Sequence, residues 1–77
     1  MTVNILTPDK QLYEGEATSI GLPGSDGSLG ILSHHAPLVT TLRKGEITLK
    51  TDDEEMTFDV NGGTVEVLNN HVTILAQ

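Results

Sequence analysis

Apolar side chains return at every second position over most of the chain. Val3 and Ile5 alternate with polar neighbours, as do Ile20 and Leu22, Ile47 and Leu49, Met56 and Phe58, Val65 and Val67, and Val72 and Ile74. No stretch sustains a period of 3.6, so the pattern predicts short, half-buried strands and a nearly all-β fold. Turn-forming residues lie between the runs. Pro8, Asp9 and Lys10 close the first strand, Leu12 and Tyr13 begin a second, and Glu14, Gly15 and Glu16 are expected to turn the chain again. Thr18, Ile20 and Leu22 share a face up to Pro23 and Gly24, which should stop that strand because proline has no N–H to give to a ladder. Asp26 and Gly27 form a favourable two-residue turn, and Ser28 to Leu32 reads as the strand that follows it.

Two hairpins can be written out residue by residue. With Asp52 and Asp53 as the turn, Leu49 opposes Met56 and Ile47 opposes Phe58 on the inner side, while Lys50 opposes Glu55 outside. With Asn69 and Asn70 as the turn, Val67 opposes Val72, Val65 opposes Ile74, and Glu66 opposes Thr73 outside. Asparagine tolerates the positive φ that such turns require. Asn61, Gly62 and Gly63 break the pattern between the two hairpins, where the chain can leave one sheet and begin another. The last strand, Val72 to Ala76, ends almost with the sequence, and no linker or repeat interrupts it. The expectation is a sandwich or flattened barrel formed as one domain over residues 1–77.

Length and charge narrow the functions such a fold can serve. A chain of 77 residues buries only about 60% of the surface it would expose unfolded, which leaves little room for a deep cleft. Its core is aliphatic, since there is one Phe and one Tyr, and the absence of cysteine removes disulfides and thiolate zinc sites. Four Lys and Arg stand against eleven Asp and Glu, a balance that opposes a phosphate backbone and argues against direct nucleic-acid binding. No apolar run approaches the roughly 20 residues of a membrane span. A soluble or peripheral protein is expected.

The polar residues carry no recognisable catalytic or metal-binding motif. His34 and His35 are adjacent, so on a strand they point to opposite faces, and His71 could join them only through tertiary folding. Usual zinc spacings are absent. The run Asp52, Asp53, Glu54, Glu55 lacks the alternating ligands and mid-loop glycine of a calcium loop and reads as a solvated turn. Ser25, Ser28 and Ser33 have no nucleophile-elbow context. Gly24, Gly27 and Gly30 have neither a helix N-terminus nor the basic residue of a phosphate cradle, and read as tight turns and close backbone approach.

The stretch LPGSDGSLGILSHHAPLVTTLRKGEI, together with NGGTVEVLNNHVTILA, resembles the N-terminal β-sandwich domain of the epsilon subunit of F-type ATP synthase. The shared order runs through Gly24, Gly27, Leu29, Gly30 and Ile31 into His35, Ala36, Pro37 and Leu38, then Gly45, and later Gly62, Gly63, Glu66, Val67, Val72, Leu75 and Ala76. It covers essentially the whole chain. Two departures stand out. Ser33 and His34 occupy positions where the family commonly has proline and a small or polar residue. Bacterial members also usually continue into a C-terminal helical hairpin that can regulate ATP hydrolysis, and nothing follows Gln77, whether the chain is naturally short or truncated. The helix-based inhibitory switch is therefore not assigned to this chain.

The resemblance implies a flattened ten-stranded antiparallel β-sandwich of two sheets. It implies a non-catalytic rotor subunit of the central stalk, bound to the gamma subunit and to the c-subunit ring. Such a subunit helps couple proton flow to ATP synthesis, at the cytoplasmic face of the bacterial plasma membrane. Residue by residue, Asp26, Gly27 and Ser28 match the segment that meets the c ring, and His35, Ala36, Pro37 and Thr40 match the segment facing gamma. An acidic Asp26 could pair with a basic ring loop, but an exposed pair contributes at most about 1 kcal/mol, so backbone shape should matter more. No cofactor, metal or catalytic residue is implied, and no nucleotide site, since nucleotide binding in some members depends on the C-terminal region. Two rival classes make different demands. A free-standing peptide- or sugar-binding sandwich needs an exposed aromatic platform, for which only Tyr13 and Phe58 are available. A small metal-dependent β-barrel enzyme needs stoichiometric metal that is lost on changing His35.

Overall fold

A computed structural model describes all residues, 1–77, and they form nine strands and no helix. The strands are β1 Thr2–Leu6, β2 Gln11–Glu16, β3 Ser19–Gly24, β4 Gly27–Leu32, β5 Leu38–Leu42, β6 Gly45–Lys50, β7 Glu55–Val60, β8 Gly63–Leu68 and β9 His71–Ala76. Hydrogen bonding links them in the order β2-β1-β9-β8-β5-β3-β6-β7, with β4 paired to β3 alone. The sheet curls on itself, so β2, β1, β9, β8 and β5 face β4, β3, β6 and β7 across one core. The β-sandwich class expected from the period-2 pattern is what forms, with nine strands where ten were expected.

One pair departs from the antiparallel expectation. β1 lies parallel to β9, with Val3 opposite Val72 and Ile5 opposite Ile74. A parallel pair needs a long crossover, and here the whole intervening chain supplies it. Sixteen apolar side chains fill the core, with Val3, Ile5, Ile47, Leu49 and Ile74 fully excluded from solvent. Each contributes about 1.5–3 kcal/mol. Tyr13 and Phe58 pack against the edge of this aliphatic centre, their ring centroids 6.2 Å apart.

Both predicted hairpin registers are present, with Leu49 opposite Met56, Ile47 opposite Phe58, Val67 opposite Val72 and Val65 opposite Ile74. Asn69 and Asn70 hold φ of 50° and 64° at their turn. Three local expectations need correction. Glu14, Gly15 and Glu16 do not turn; they complete β2, with Gly15 opposite Val3. Tyr13 lies over Gly15, where an added Cβ would stand 3.0 Å from its hydroxyl oxygen, and that hydroxyl donates to the Glu16 carbonyl. Next, Pro23 and Gly24 do not stop β3. Pro23 has no N–H to give toward β6, so that ladder ends at Gly21, but the Pro23 carbonyl accepts from Arg43 N–H and Gly24 pairs with Leu42. β3 thereby passes from β6 to β5 and joins the two layers. Finally, the residues between β3 and β4 are Ser25 and Asp26, with Gly24 opposite Gly27. The turn thus sits one residue earlier than Asp26–Gly27, and Gly27, at φ 137°, opens β4.

Candidate interaction surface

Strand directions collect the turns at two ends. The turns at Pro8–Lys10, Ser25–Asp26, Arg43–Lys44 and Asn61–Gly62 share one end, and those at Ala17–Thr18, Ser33–Pro37, Thr51–Glu54 and Asn69–Asn70 share the other. The residues matched to the c-ring segment and the His35 loop matched to the gamma segment therefore sit at opposite ends.

Asp26, Gly27 and Ser28 are exposed at the tip of the β3–β4 hairpin. The tip is pinned to β5, because Ser25 N–H donates to the Thr41 carbonyl at 3.0 Å and the Ser25 and Thr41 hydroxyls lie 2.7 Å apart. Gly24 is sterically required there, since a Cβ would meet the Gly27 carbonyl oxygen at 2.5 Å. The backbone shape of the tip is thus fixed on both sides. The Asp26 carboxylate forms no ion pair within the chain.

His35, Ala36 and Pro37 lie in an exposed loop and line a shallow depression with Asn69 and Asn70. The loop is held by His34 N–H donating to Asn70 Oδ1 at 2.8 Å and by His35 N–H donating to the Leu32 carbonyl at 3.2 Å. His35 Nδ1 lies 2.7 Å from its neighbour's Ala36 carbonyl and carries the proton that bonds to it. Thr40 is not part of this group. It is half-buried on β5 and lines a small depression with Asp26, Gly27 and Ser28. No group of three or more His, Asp or Glu side chains comes together in a way that could hold a metal ion.

Sequence reasoning passed over three exposed apolar side chains on the outer surface of the β5–β8–β9 layer. Val39 is 74% exposed, Leu68 48% and Leu75 53%. Alternation from the buried Leu42 already places Val39 on the outer side, a signal obscured by the neighbouring Leu38 and Thr40. Around these three lie Thr41, Thr64, Thr73 and Glu66, with no Lys or Arg on the outer positions of β5, β8 and β9. Val39 and Leu68 adjoin the His35–Pro37 loop on neighbouring strands, while Leu75 stands apart beyond Thr64 and Thr73. The apolar contribution to a contact surface here is therefore the Val39–Leu68 pair beside the loop.

Comparison with known proteins agrees with this architecture. The profile of the ATP synthase Delta/Epsilon chain beta-sandwich domain matches residues 1–77. An ATP synthase epsilon chain from Thermosynechococcus vestitus is 45% identical over 75 residues, covering 97% of this chain and 54% of that protein. One from Caulobacter vibrioides is 38% identical over 74 residues, covering 96% of this chain and 86% of that protein. The chain therefore spans about half the length of several relatives and most of the length of another. Among solved structures, a chain of the Euglena gracilis mitochondrial ATP synthase, determined as OSCP/F1/c-ring, superposes with a TM-score of 0.90 at 18% identity, covering 96% of this chain and 48% of that one. A chain of the Tetrahymena thermophila mitochondrial ATP synthase central stalk and c-ring superposes with 0.87 at 21% identity, covering 100% of this chain and 63% of that one. These two share the fold.

Proposed function

Since the chain belongs to the Delta/Epsilon-chain β-sandwich family of ATP synthase, we propose that it is a non-catalytic subunit of the central-stalk rotor, linking the gamma subunit to the c-subunit ring. In that role it helps couple proton flow to ATP synthesis, and it is peripheral to the cytoplasmic face of a bacterial plasma membrane. The bacterial relatives favour that location over an organelle. The observation that carries the reading is the separation of two shaped exposed segments at opposite ends of a stiff sandwich, as a connector between two partners requires. The Asp26–Ser28 tip is offered to the ring. The His35–Pro37 loop, continued by Val39 and Leu68, is offered to gamma, and Thr40 lines the depression beside the tip. Stiffness comes from 47 backbone hydrogen bonds and a core with no buried charged residue.

The test is co-purification with the cognate gamma subunit, comparing wild type with a His35→Glu, Val39→Glu double variant whose fold is checked by circular dichroism. Both side chains are exposed, so the variant is expected to fold and to lose gamma. Failure of the wild type to hold gamma would overturn the assignment. Retention by the folded variant would move the gamma contact elsewhere.

A further inference from the structure

Gly21 and Gly30 face each other across β3 and β4, and nothing inside the molecule requires glycine at either. Neither has positive φ. A Cβ on Gly30 would meet nothing within 4 Å, and one on Gly21 would approach only Thr48, at 3.8 Å. By contrast, Gly24, Gly45 and Gly63 would each bring a Cβ within 3.0 Å of a neighbour. Glycine weakens a strand, and one that no bulge, bend or internal contact demands is often a place where a ligand or another backbone comes close.

The outer surface over this pair has a second property. Two shallow depressions meet there, sharing Gly21 and Thr48. Lys50 lines one, Arg43 and Lys44 the other, so three of the four cations of a chain with net charge −7 border a single trough. Glu46 is the one carboxylate lining it, while Glu55 and Asp59 stand one strand further out on β7. None of the three cations is paired, for the one ion pair in the chain joins the Met1 amino group to Glu16. Lys50 lies opposite Glu55 in register without forming one.

We propose that this trough, floored by Gly21, Gly30 and Thr48 and flanked by Lys50 at one end and Arg43 and Lys44 at the other, docks an extended acidic polypeptide segment of a partner chain. Lys44 and Lys50 are separated by the length of β6, roughly 20 Å at about 3.3 Å per residue. A phosphate group cannot reach both ends, whereas about seven extended residues with a carboxylate at each end can. The bare glycine floor lets the backbone of such a segment lie close to the sheet. Self-association is opposed by the −7 charge each copy carries. The trough lies on the layer opposite Val39, so it does not compete with the gamma contact proposed above.

The test uses nitrogen-15-labelled full chain and the peptide acetyl-Glu-Ser-Thr-Ser-Thr-Ser-Glu-amide, followed by amide shifts in low salt. The shifts should saturate at Gly21, Gly30 and Thr48. Replacing both glutamates by glutamine should weaken binding at least five-fold, and Lys44→Gln or Lys50→Gln about two- to five-fold each, the range of single exposed ion pairs. Gly30→Ala adds a Cβ that meets nothing within 4 Å and should weaken binding with the melting temperature unchanged or raised; Gly30→Val fills more of the floor and should cost ten-fold or more. Equal binding of the glutamate and glutamine peptides would overturn the proposal, as would wild-type affinity in both Gly30 variants. Saturation of the same amides by inorganic phosphate alone, or by phosphatidylglycerol vesicles in preference to the peptide, would also overturn it, leaving a plain anion patch or a membrane contact.

Discussion

The N–H of His34 donates to Asn70 Oδ1 over 2.8 Å, joining two turns 36 positions apart. Both residues hold φ of 64°. An L residue in that region carries a steric cost of roughly 1–2 kcal/mol that glycine avoids, and at His34 this bond, with that from His35 N–H to the Leu32 carbonyl, opposes it. His34→Gly keeps the bond and removes the strain, so urea denaturation should show a gain of about 0.5–1 kcal/mol. Asn70→Ala removes the acceptor and places alanine at positive φ, and should lose about 1–3 kcal/mol. The small or polar residue common before the family's histidine suits the same backbone.

How much of this was legible in the sequence depended on distance along the chain. The β6–β7 and β8–β9 registers were readable because a two-residue turn and a period of two leave one pairing that buries the apolar side. The β1–β9 pairing was not, because nothing local tells Val3 that its neighbour is Val72. The passage of β3 between layers was hidden for a different reason. Pro23 signals a missing donor, but whether that ends a strand or only one of its two ladders depends on which neighbour faces the missing N–H. The tip residues Asp26 to Ser28 and the His35 loop were legible as exposed, shaped segments. Their placement at opposite ends, and the grouping of Thr40 with the tip, required the topology.

Glycine substitutions should separate into two classes by thermal denaturation. A Cβ on Gly63 would lie 2.1 Å from the Leu75 carbonyl oxygen, and its φ is 142°. Gly63→Ala must push β8 from β9, and a loss of at least about 3 kcal/mol is expected, in the range of severe strain. Gly30→Ala meets nothing within 4 Å, and by limiting the unfolded chain it should gain about 0.4–1 kcal/mol.

The hydroxyls of Ser25 and Thr41, 2.7 Å apart, form an exposed clasp whose energy is separable from that of its backbone bond. Ser25→Ala and Thr41→Val should each cost about 0.5–1.5 kcal/mol, and the double variant less than their sum, with a coupling near 1 kcal/mol in a double-mutant cycle. Hydrogen exchange at the Ser25 amide should quicken in all three variants. Full additivity would mean that the hydroxyls act independently and that the backbone bond from Ser25 to Thr41 alone holds the tip.

Charge and shape at the tip make opposite predictions for association with an isolated c ring. Asp26 is exposed and unpaired, so Asp26→Asn should leave stability within about 0.5 kcal/mol. If its charge pairs with a ring loop, association weakens by about two- to five-fold in low salt, and the difference fades near 0.5 M salt as screening shortens to a few ångströms. Gly27→Val leaves every charge in place but forces a β-branched residue to φ of 137°, re-aiming the tip although Ser25 still anchors it to β5. A variant that remains folded should lose ten-fold or more at both salt concentrations. That ordering, a large salt-independent loss at Gly27 and a small salt-dependent one at Asp26, is expected of a rigid turn read by its backbone. The reverse order would make the carboxylate the recognised feature and the surrounding turn geometry a consequence of the sandwich alone.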